Sequence, residues 1–416
     1  MTLADERPAD SPPPASPSSP AADEERVLAL CRQLLAELPP ADTDPVTFLG
    51  RQFDLGLAWV HFPEGHGGLG LSPRLQKAIA ETLVGAGAPY PAAANPIGHG
   101  MGAPTVVTHG SEAQKRRYLR PLFTNEEIWC QLFSEPGAGS DVASLSTRAV
   151  RDGDEWVVNG QKVWTTLAHV SRFGMLVART DPEAPKHKGL TYFVVDMHAP
   201  GVEVRPLFQI TGEAEFNEVY FTDVRIPDAE RLGEVGEGWR VSLTTLMNER
   251  VAIGGQVPRK GTGLVRELVE TWRRTGPHDG PTAGADRDRV VQLWIRAEVL
   301  RLTNIRAGQQ RAKGTPGPEG SIGKLAMAEL NKDLTSCAID LVGAEGLLHP
   351  AGYPMARPER ANLWSSPSHA FLRARANSIE GGTTEIMKNI LAERVLGLPG
   401  DVRVDKDRPW SQVPRS

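Results

Sequence analysis

The chain has 416 residues, too many for one ordinary hydrophobic core, so two or three domains are expected. Its 40% hydrophobic and 23% charged residues are typical of globular proteins, and a net charge of −5 gives no general attraction to nucleic acid or acidic lipid. The 3 cysteines form no CxxC pair, which excludes a disulfide framework or a cysteine-rich zinc site and favours a reducing cytoplasmic location. No signal peptide or membrane-spanning run of about 20 apolar residues is present, so membrane insertion is not expected.

The first part of the chain predicts a disordered tail followed by helices. Residues 1–24 are mostly Pro, Ser, Ala and acid, with little to bury. Apolar residues recur at helical spacing from Val27 onward, a helix is expected after Ser72-Pro73, and Ser111 with Gln114 forms a capping-box pattern. We therefore assign residues 25–128 to an N-terminal helical domain.

The middle section predicts a β domain over residues 129–236. Runs of β-branched and aromatic residues at 173–178, 190–195 and 219–226 are typical of strands. Asn159-Gly160 stands between two such runs, which predicts a hairpin turn.

Helical periodicity returns in the last section, which we assign to a helical domain over 237–400 followed by a polar tail at 401–416. Long helices are predicted near 239–274, 287–313, 322–343 and 384–396. The order of helices, strands and helices indicates an α+β multidomain protein without βαβ alternation.

Two glycine-rich segments invite comparison with nucleotide-binding loops. Residues 65–70 fit GxGxxG, but the segment follows Pro63 and no strand precedes it, which favours an ordinary loop. The segment 130–141, CQLFSEPGAGSD, forms a Gly/Ser loop whose backbone N–H groups could approach a ligand closely. Alone, that segment would more often be an ordinary surface loop. His99, His109 and His169 do not have metal-ligand spacing, so no metal site is predicted.

Four separated segments together closely resemble the acyl-CoA dehydrogenase family. They are the Gly/Ser loop, Val163-Trp164-Thr165-Thr166, the stretch 218–227 and the stretch 378–386 (SIEGGTTEI). The resemblance covers roughly residues 25–400 and implies an N-terminal α-helical domain, a middle β-barrel-like domain and a C-terminal four-helix bundle. It also implies an FAD-dependent oxidoreductase of fatty-acid or lipid metabolism, including β-oxidation, which desaturates an acyl-CoA thioester.

The resemblance assigns residues to the cofactor by motif. Trp164 would cover the flavin ring and Thr166 would donate a hydrogen bond to N5, which gains electron density during hydride transfer. Ser140 would also lie near the CoA pantetheine, and the N-terminus of the final helix would meet FAD. The implied FAD contacts are Gln131, Phe133, Ser134, Gly139, Ser140, Trp164, Thr166, Thr383 and Glu385.

The family places its catalytic carboxylate at one of two sites. The loop site corresponds to Gly381, whereas the helix site, used in isovaleryl- and long-chain-type members, corresponds to Glu249 before Arg250. Ser242, Leu246, Glu249 and Ile253 share one helix face, which suits a semi-buried base. We therefore predict that Glu249 is the base, and that Arg250 orients the loop or the base and also contacts the substrate.

Two further residues of the final loop enter this prediction. Glu380 is the second candidate for the base and also a candidate substrate contact, because it neighbours Gly381. Gly381 would hold the thioester carbonyl through its backbone N–H. An ordinary half-exposed helical Glu that pairs with Arg is the alternative reading of Glu249.

The chain departs from the family at the intersubunit side of the FAD site. An Arg-x-x-Phe-Gly segment is usual, but residues 272–277 read WRRTGP and lack the Phe-Gly. A homodimer, a homotetramer and a heterotetramer with a related subunit therefore stay open, as do three functions. These are a dehydrogenase that passes electrons to electron-transferring flavoprotein, a flavin oxidase or monooxygenase, and a partner subunit that completes another subunit's FAD site.

Overall fold

A computed structural model describes residues 19–254, 257–311, 319–348, 355–359 and 366–400, with 402, 405 and 407–413. The chain divides into two compact units, residues 1–89 and 90–416. Within the described residues, no helix is both long enough and apolar enough to cross a membrane.

The first unit contains helices α1 (Pro20–Glu37), α2 (Pro45–Asp54) and α3 (Leu75–Gly85). Helix α1 begins inside the segment that the sequence assigned to the tail, because Ser19 caps its N-terminus and a proline occupies the first turn. Residues 1–18 of the predicted tail lie outside the described part. The GxGxxG segment is a loop, as predicted, and it precedes α3 without a strand before it.

The first α-helices of the second unit are α4 (Ala103–His109) and α5 (Glu112–Phe123). The predicted capping box is present at the start of α5: Ser111 accepts from the backbone of Gln114, and the Gln114 side chain accepts from the backbone of Ser111. The amide of Gln114 also donates to the carbonyls of Ala229 and Arg231, so the cap joins α5 to the end of the β region.

The β region is one sheet whose strands run in the order β6-β7-β3-β2-β4-β5-β8, with β1 paired to β4. Its apolar side buries a cluster that includes Trp156, Phe193 and Phe221. Within this region, all of which the structure describes, the sheet is open and does not close into a barrel. The strands are β1 (Trp129–Leu132), β2 (Arg148–Asp152), β3 (Glu155–Thr166), β4 (Phe173–Arg179), β5 (Leu190–Asp196), β6 (Val202–Pro206), β7 (Phe216–Pro227) and β8 (Arg231–Leu232).

The predicted hairpin turn at Asn159-Gly160 is wrong. Strand β3 passes through both residues, and the turn between β2 and β3 lies at Gly153 instead, where φ is 63°. Gly160 is needed for another reason: a Cβ built there would lie 2.5 Å from Oγ1 of Thr147. The register against β7 also shifts beside Gly160, so the Asn-Gly pair marks a β-bulge with a close chain approach.

The last section is helical, and one predicted helix is in fact two. The segment 239–274 divides into α6 (Gly238–Gly254) and α7 (Leu264–Arg274), because Gly261 and Gly263 between them adopt positive φ. The other helices are α8 (Ala283–Arg311), α9 (Glu319–Val342), α10 (Pro367–Ala374) and α11 (Thr384–Arg394). Residues from α7, α8 and α9 share a core that includes Leu268, Leu293 and Leu334.

Candidate active site

Helix α6 carries Glu249 toward the sheet. Its inner face is fixed by Thr245, whose hydroxyl lies 2.9 Å from that of Thr105 and 3.0 Å from that of Tyr192 on β5. One turn further along, Glu249 is half-buried and accepts a 3.4 Å hydrogen bond from the side chain of Gln131 on β1. The two residues that the sequence assigned to the base and the cofactor contact are therefore brought together.

The rest of the predicted α6 stripe is described only in part. Ser242 is buried and Leu246 is half-buried, which agrees with the predicted face. The backbone of Arg250 lies in α6, but the side chains of Arg250 and Ile253 lie outside the described part of the chain.

The Gly/Ser loop is anchored by a buried ion pair that the sequence did not reveal. Lys162 on β3 is fully buried and donates to Oε1 of Glu135 at 2.8 Å and to the carbonyl of Phe133 at 3.0 Å. Glu135 also accepts from the backbone N–H groups of Ser146 and Thr147. Burial alone would raise the pKa of Glu135, but the charge of Lys162 and these hydrogen bonds hold the pKa below its ordinary value.

The predicted ligand contacts of this loop differ in exposure. Gly139 and Ser140 are exposed, and Ser134 is half-buried with its carbonyl accepting from the N–H of Val163 at 2.9 Å. Phe133 is only 3% exposed and packs against Tyr192, so little of its surface is left for a ligand. Exposed Gly139 and Ser140 are thus the parts of the loop best placed to meet a bound molecule.

Trp164 occupies an unusual position at the end of β3. Its φ is 60°, a left-handed conformation rare for a bulky residue, and its side chain is 58% exposed although both neighbours are buried. Its ring meets Phe216 edge to face at 5.9 Å, and Phe216 pairs with Thr166 across the sheet. An exposed flat aromatic ring held beside a Gly/Ser loop fits a planar ring system such as isoalloxazine.

Phe216 links Trp164 to the final loop. The guanidinium of Arg373 on α10 lies 5.6 Å from the Phe216 ring and donates to Oε2 of Glu380 at 3.1 Å. Asn377 donates to the other carboxylate oxygen of Glu380 at 2.5 Å. Both oxygens of Glu380 are therefore engaged by neighbouring side chains.

Lys324 lies beneath the same loop and is a second buried lysine that sequence reasoning missed. It is 0% exposed on α9 and donates to the carbonyls of Asn377 and Gly382 at 2.9 and 2.5 Å. Burial lowers its pKa, and the nearby charges of Glu380 and Glu249 oppose that effect. Lys324 thus places a positive charge close to both candidate bases.

The loop above Lys324 needs its two glycines. Gly381 and Gly382 have φ values of 65° and 93°, so a side-chain-bearing residue at either position would be strained. A carboxylate at position 381, as in loop-base relatives, would therefore not suit this backbone. Thr383 follows as the N-cap of α11, its hydroxyl accepting from the N–H of Ile386 at 3.1 Å, and Glu385 lies in the first turn.

A third buried carboxylate lies beside this loop. Glu215 is 2% exposed and lies 3.9 Å from Nε of Arg373. Burial raises the pKa of Glu215; Arg373 opposes that shift, while Glu380 and Glu213 add to it. Glu213 in turn lies 3.0 Å from Nε2 of His369. No sequence motif indicates Lys324 or this cluster. A single Lys or Glu in an apolar stretch usually keeps its charged end in water, so its burial could not be expected.

Comparisons with known proteins identify the family of the chain. The chain matches the N-terminal, middle and C-terminal domains of acyl-CoA dehydrogenases at residues 31–126, 130–224 and 236–396. Acyl-CoA dehydrogenase IpdE1 from Mycobacterium tuberculosis is 40% identical over 349 residues, covering 84% of this chain and 86% of the relative.

Solved structures give the same picture. The Tcur3481-Tcur3483 steroid ACAD superposes with a TM-score of 0.69 and 28% identity, covering 92% of this chain and 99% of that one. The ChsE4-ChsE5 complex from Mycobacterium tuberculosis gives the same TM-score, identity and coverage.

The three matched domains and the named relatives define an oxidoreductase. The chain belongs to the acyl-CoA dehydrogenase family.

Proposed function

We propose that this acyl-CoA dehydrogenase is an FAD-dependent α,β-desaturase in which Glu249 removes the α-proton of an acyl-CoA thioester. The observation that carries the proposal is the position of Glu249, half-buried and bonded to Gln131, opposite a loop whose acid position is a glycine with φ of 65°. An α-proton beside a thioester is weakly acidic, so a positioned carboxylate is required.

The residues around Glu249 would divide the work. An oxygen of Glu249 accepts the α-proton, and the N–H of Gly381 donates to the thioester oxygen, where negative charge develops. Glu380 would position the loop and not act as base, because Arg373 and Asn377 occupy its two oxygens. Arg250 would orient either the base or the loop.

FAD, when bound, supplies the acceptor for the β-hydride. The chain would hold it through the exposed face of Trp164 and Thr166 on one side and the Gly139-Ser140 loop on another. Thr383 and Glu385 would contribute the N-terminal turn of α11, whose N–H groups lack partners within the helix. Gln131, Ser134 and Phe133 complete the proposed set, Phe133 through the little surface it leaves open.

The acceptor, location and assembly are proposed from relatives. We propose electron-transferring flavoprotein as the electron acceptor, the cytoplasm as the location, and either a homo-oligomer or a heterotetramer with a related subunit. The similarity to a steroid ACAD, which is 28% identical, favours a bulky acyl group as substrate.

Anaerobic mixing with a panel of acyl-CoA thioesters, including straight, branched and steroid-derived acyl groups, tests the proposal. We expect the flavin absorbance to bleach with at least one thioester and to recover slowly when air is admitted. Rapid recovery in air would indicate an oxidase, and failure of all thioesters to bleach bound flavin would contradict desaturation. If the chain carried flavin only with a second subunit, Glu249→Gln in the assembled complex would decide, and unchanged bleaching by that variant would support the partner-subunit alternative.

A further inference from the structure

A C-terminal segment beyond the family match packs on the sheet domain. Residues 405–413 follow α11 and lie outside the matched range 236–396. Trp410 is 8% exposed, and its backbone N–H donates to the carbonyl of Ala184 at 3.0 Å. The next N–H, of Ser411, donates to the carbonyl of Pro182 at 2.9 Å. This end of the polar tail is therefore docked through both backbone and side chain.

Trp410 contacts the turn that follows the Gly/Ser loop. Its indole N–H donates to the carbonyl of Ser144 at 3.2 Å, and its ring lies 4.3 Å from the guanidinium of Arg179. Arg179, 2% exposed, donates in turn to the carbonyls of Ala143 and Leu145 at 2.6 and 3.2 Å. Three successive carbonyls of this turn are thus held by Trp410 directly or by the arginine on which it stacks.

A shared lysine forms a second connection. Lys186 lies 2.8 Å from the carboxylate of Asp141 and 2.5 Å from that of Asp405, and its side chain is only 12% exposed. Asp141 is the last residue of the Gly/Ser loop and directly follows the exposed Ser140. The segment is therefore connected to the end of the loop at Asp141 and to the turn that follows it at Ser144.

We propose that Asp405 and residues 407–413, here named the C-terminal strap, position the Gly/Ser loop for a diphosphate-bearing nucleotide, either FAD or CoA. The choice of ligand rests on the proposed function. Gly137 and Gly139 are exposed, and a Cβ added at either would meet nothing within 4 Å, so this exposed part of the loop is not held by packing around its glycines. Fixing its end before binding lowers the entropy lost when the ligand is bound. Trp410 is the central positioning residue of the strap.

Hydrogen exchange tests whether the strap holds the turn at 143–145. The wild type is compared with two full-length variants, Trp410→Ala and Trp410→Phe, and with a chain that ends at Gly400. We expect faster exchange at the amides of Ser144 and Leu145 in the alanine and truncated forms, and a smaller effect in the phenylalanine form, which keeps the stacking. Amides of Ser146 and Thr147 are internal controls, because Glu135 holds them.

Titrations with FAD and with CoA as separate probes test the binding half. We expect Trp410→Ala to weaken binding of at least one probe about tenfold, with kcat changing much less than KM for any thioester that is turned over. Val402→Ala is the matched control, since Val402 is 91% exposed near the strap.

Unchanged exchange at Ser144, or faster exchange with unchanged binding of both probes, would overturn the proposal. Exchange and FAD binding need no turnover, so failure of desaturation would leave this test intact. If the truncated chain did not fold, the two Trp410 variants would decide.

Discussion

The side-chain amide of Gln131 donates to the carboxylate of Glu249 over 3.4 Å, joining the first strand of the sheet to the first helix of the C-terminal section. The bond fixes the position of the carboxylate that we propose as the base. Glu249 is also within electrostatic reach of the buried Lys324. The carboxylate is thereby directed toward the sheet.

Glu249→Gln should abolish desaturation and leave the flavin bound. The amide keeps the size of the carboxylate but cannot accept the α-proton, so turnover should fall by about a thousandfold. Stopped-flow bleaching with the best thioester measures the loss, and the flavin absorbance of the purified variant checks retention of the cofactor. Near-normal bleaching by this variant would exclude Glu249 as the base.

Glu380→Gln separates the two candidate bases. The amide can still accept one hydrogen bond where Arg373 and Asn377 now hold the carboxylate. If Glu380 only positions the loop, kcat should fall by about tenfold or less. A loss as large as that of Glu249→Gln, measured in the same bleaching assay, would instead assign the proton to Glu380.

Lys324→Met tests the support of the glycine loop. Methionine fills much of the same volume but leaves the carbonyls of Asn377 and Gly382 without their donor, so the free energy of unfolding should fall by about 1–3 kcal/mol. Turnover should fall as well, because the Gly381 N–H would lose its fixed position. Urea denaturation and bleaching rates measure the two effects.

Lys332→Met is the matched control for that change. Lys332 is on the same helix, is 26% exposed and pairs with Glu329 at 2.9 Å, away from the loop carbonyls. Equal losses in the two variants would mean that removal of any lysine from α9 is sufficient, and that Lys324 has no special role.

Motifs and strand periodicity predicted much of this molecule, since the strands near 173–178, 190–195 and 219–226 and the capping box at Ser111 are confirmed. Local rules failed where a distant segment decides the local structure. The Asn159-Gly160 pair has hairpin chemistry, yet the approach of Thr147 places it inside a strand.

The buried charges were beyond prediction for the same reason. Lys162 and Glu135 are separated by 27 residues and Lys324 and Gly382 by 58, and no spacing along the chain records that they meet. A buried charge is tolerated only with a partner supplied by the tertiary fold. The alternation of apolar residues at Trp156 and Val158 indicates that Lys162 faces the inner side of β3. It gives no information on which residue pairs with Lys162.

Lys162→Met should destabilise the protein more than a surface substitution does. It leaves the carboxylate of Glu135 buried without its cation, which costs about 3–5 kcal/mol. Adding Glu135→Gln should recover part of the loss, because the amide oxygen can still accept from the Ser146 and Thr147 N–H groups. Urea denaturation of both single variants and the double variant measures the coupling, and strictly additive losses would contradict it.

Glu215→Gln should change how stability depends on pH. Burial raises the pKa of Glu215 above its ordinary value of 4.5, so the folded protein binds its proton more tightly than the unfolded chain does. This group therefore stabilises the fold fully below pH 4.5, and the stabilisation is lost as the pH rises through the raised pKa. The glutamine cannot ionise, so the variant should lack this decline. Urea denaturation between pH 4 and pH 8 should show the stability of wild type falling relative to that of the variant.

Glu218→Gln, at a half-buried position nearby on β7, is the control that should leave the wild-type dependence in place. Parallel curves for wild type and Glu215→Gln would show that Glu215 ionises alike in both states, and that the charges of Arg373 and His369 offset its burial.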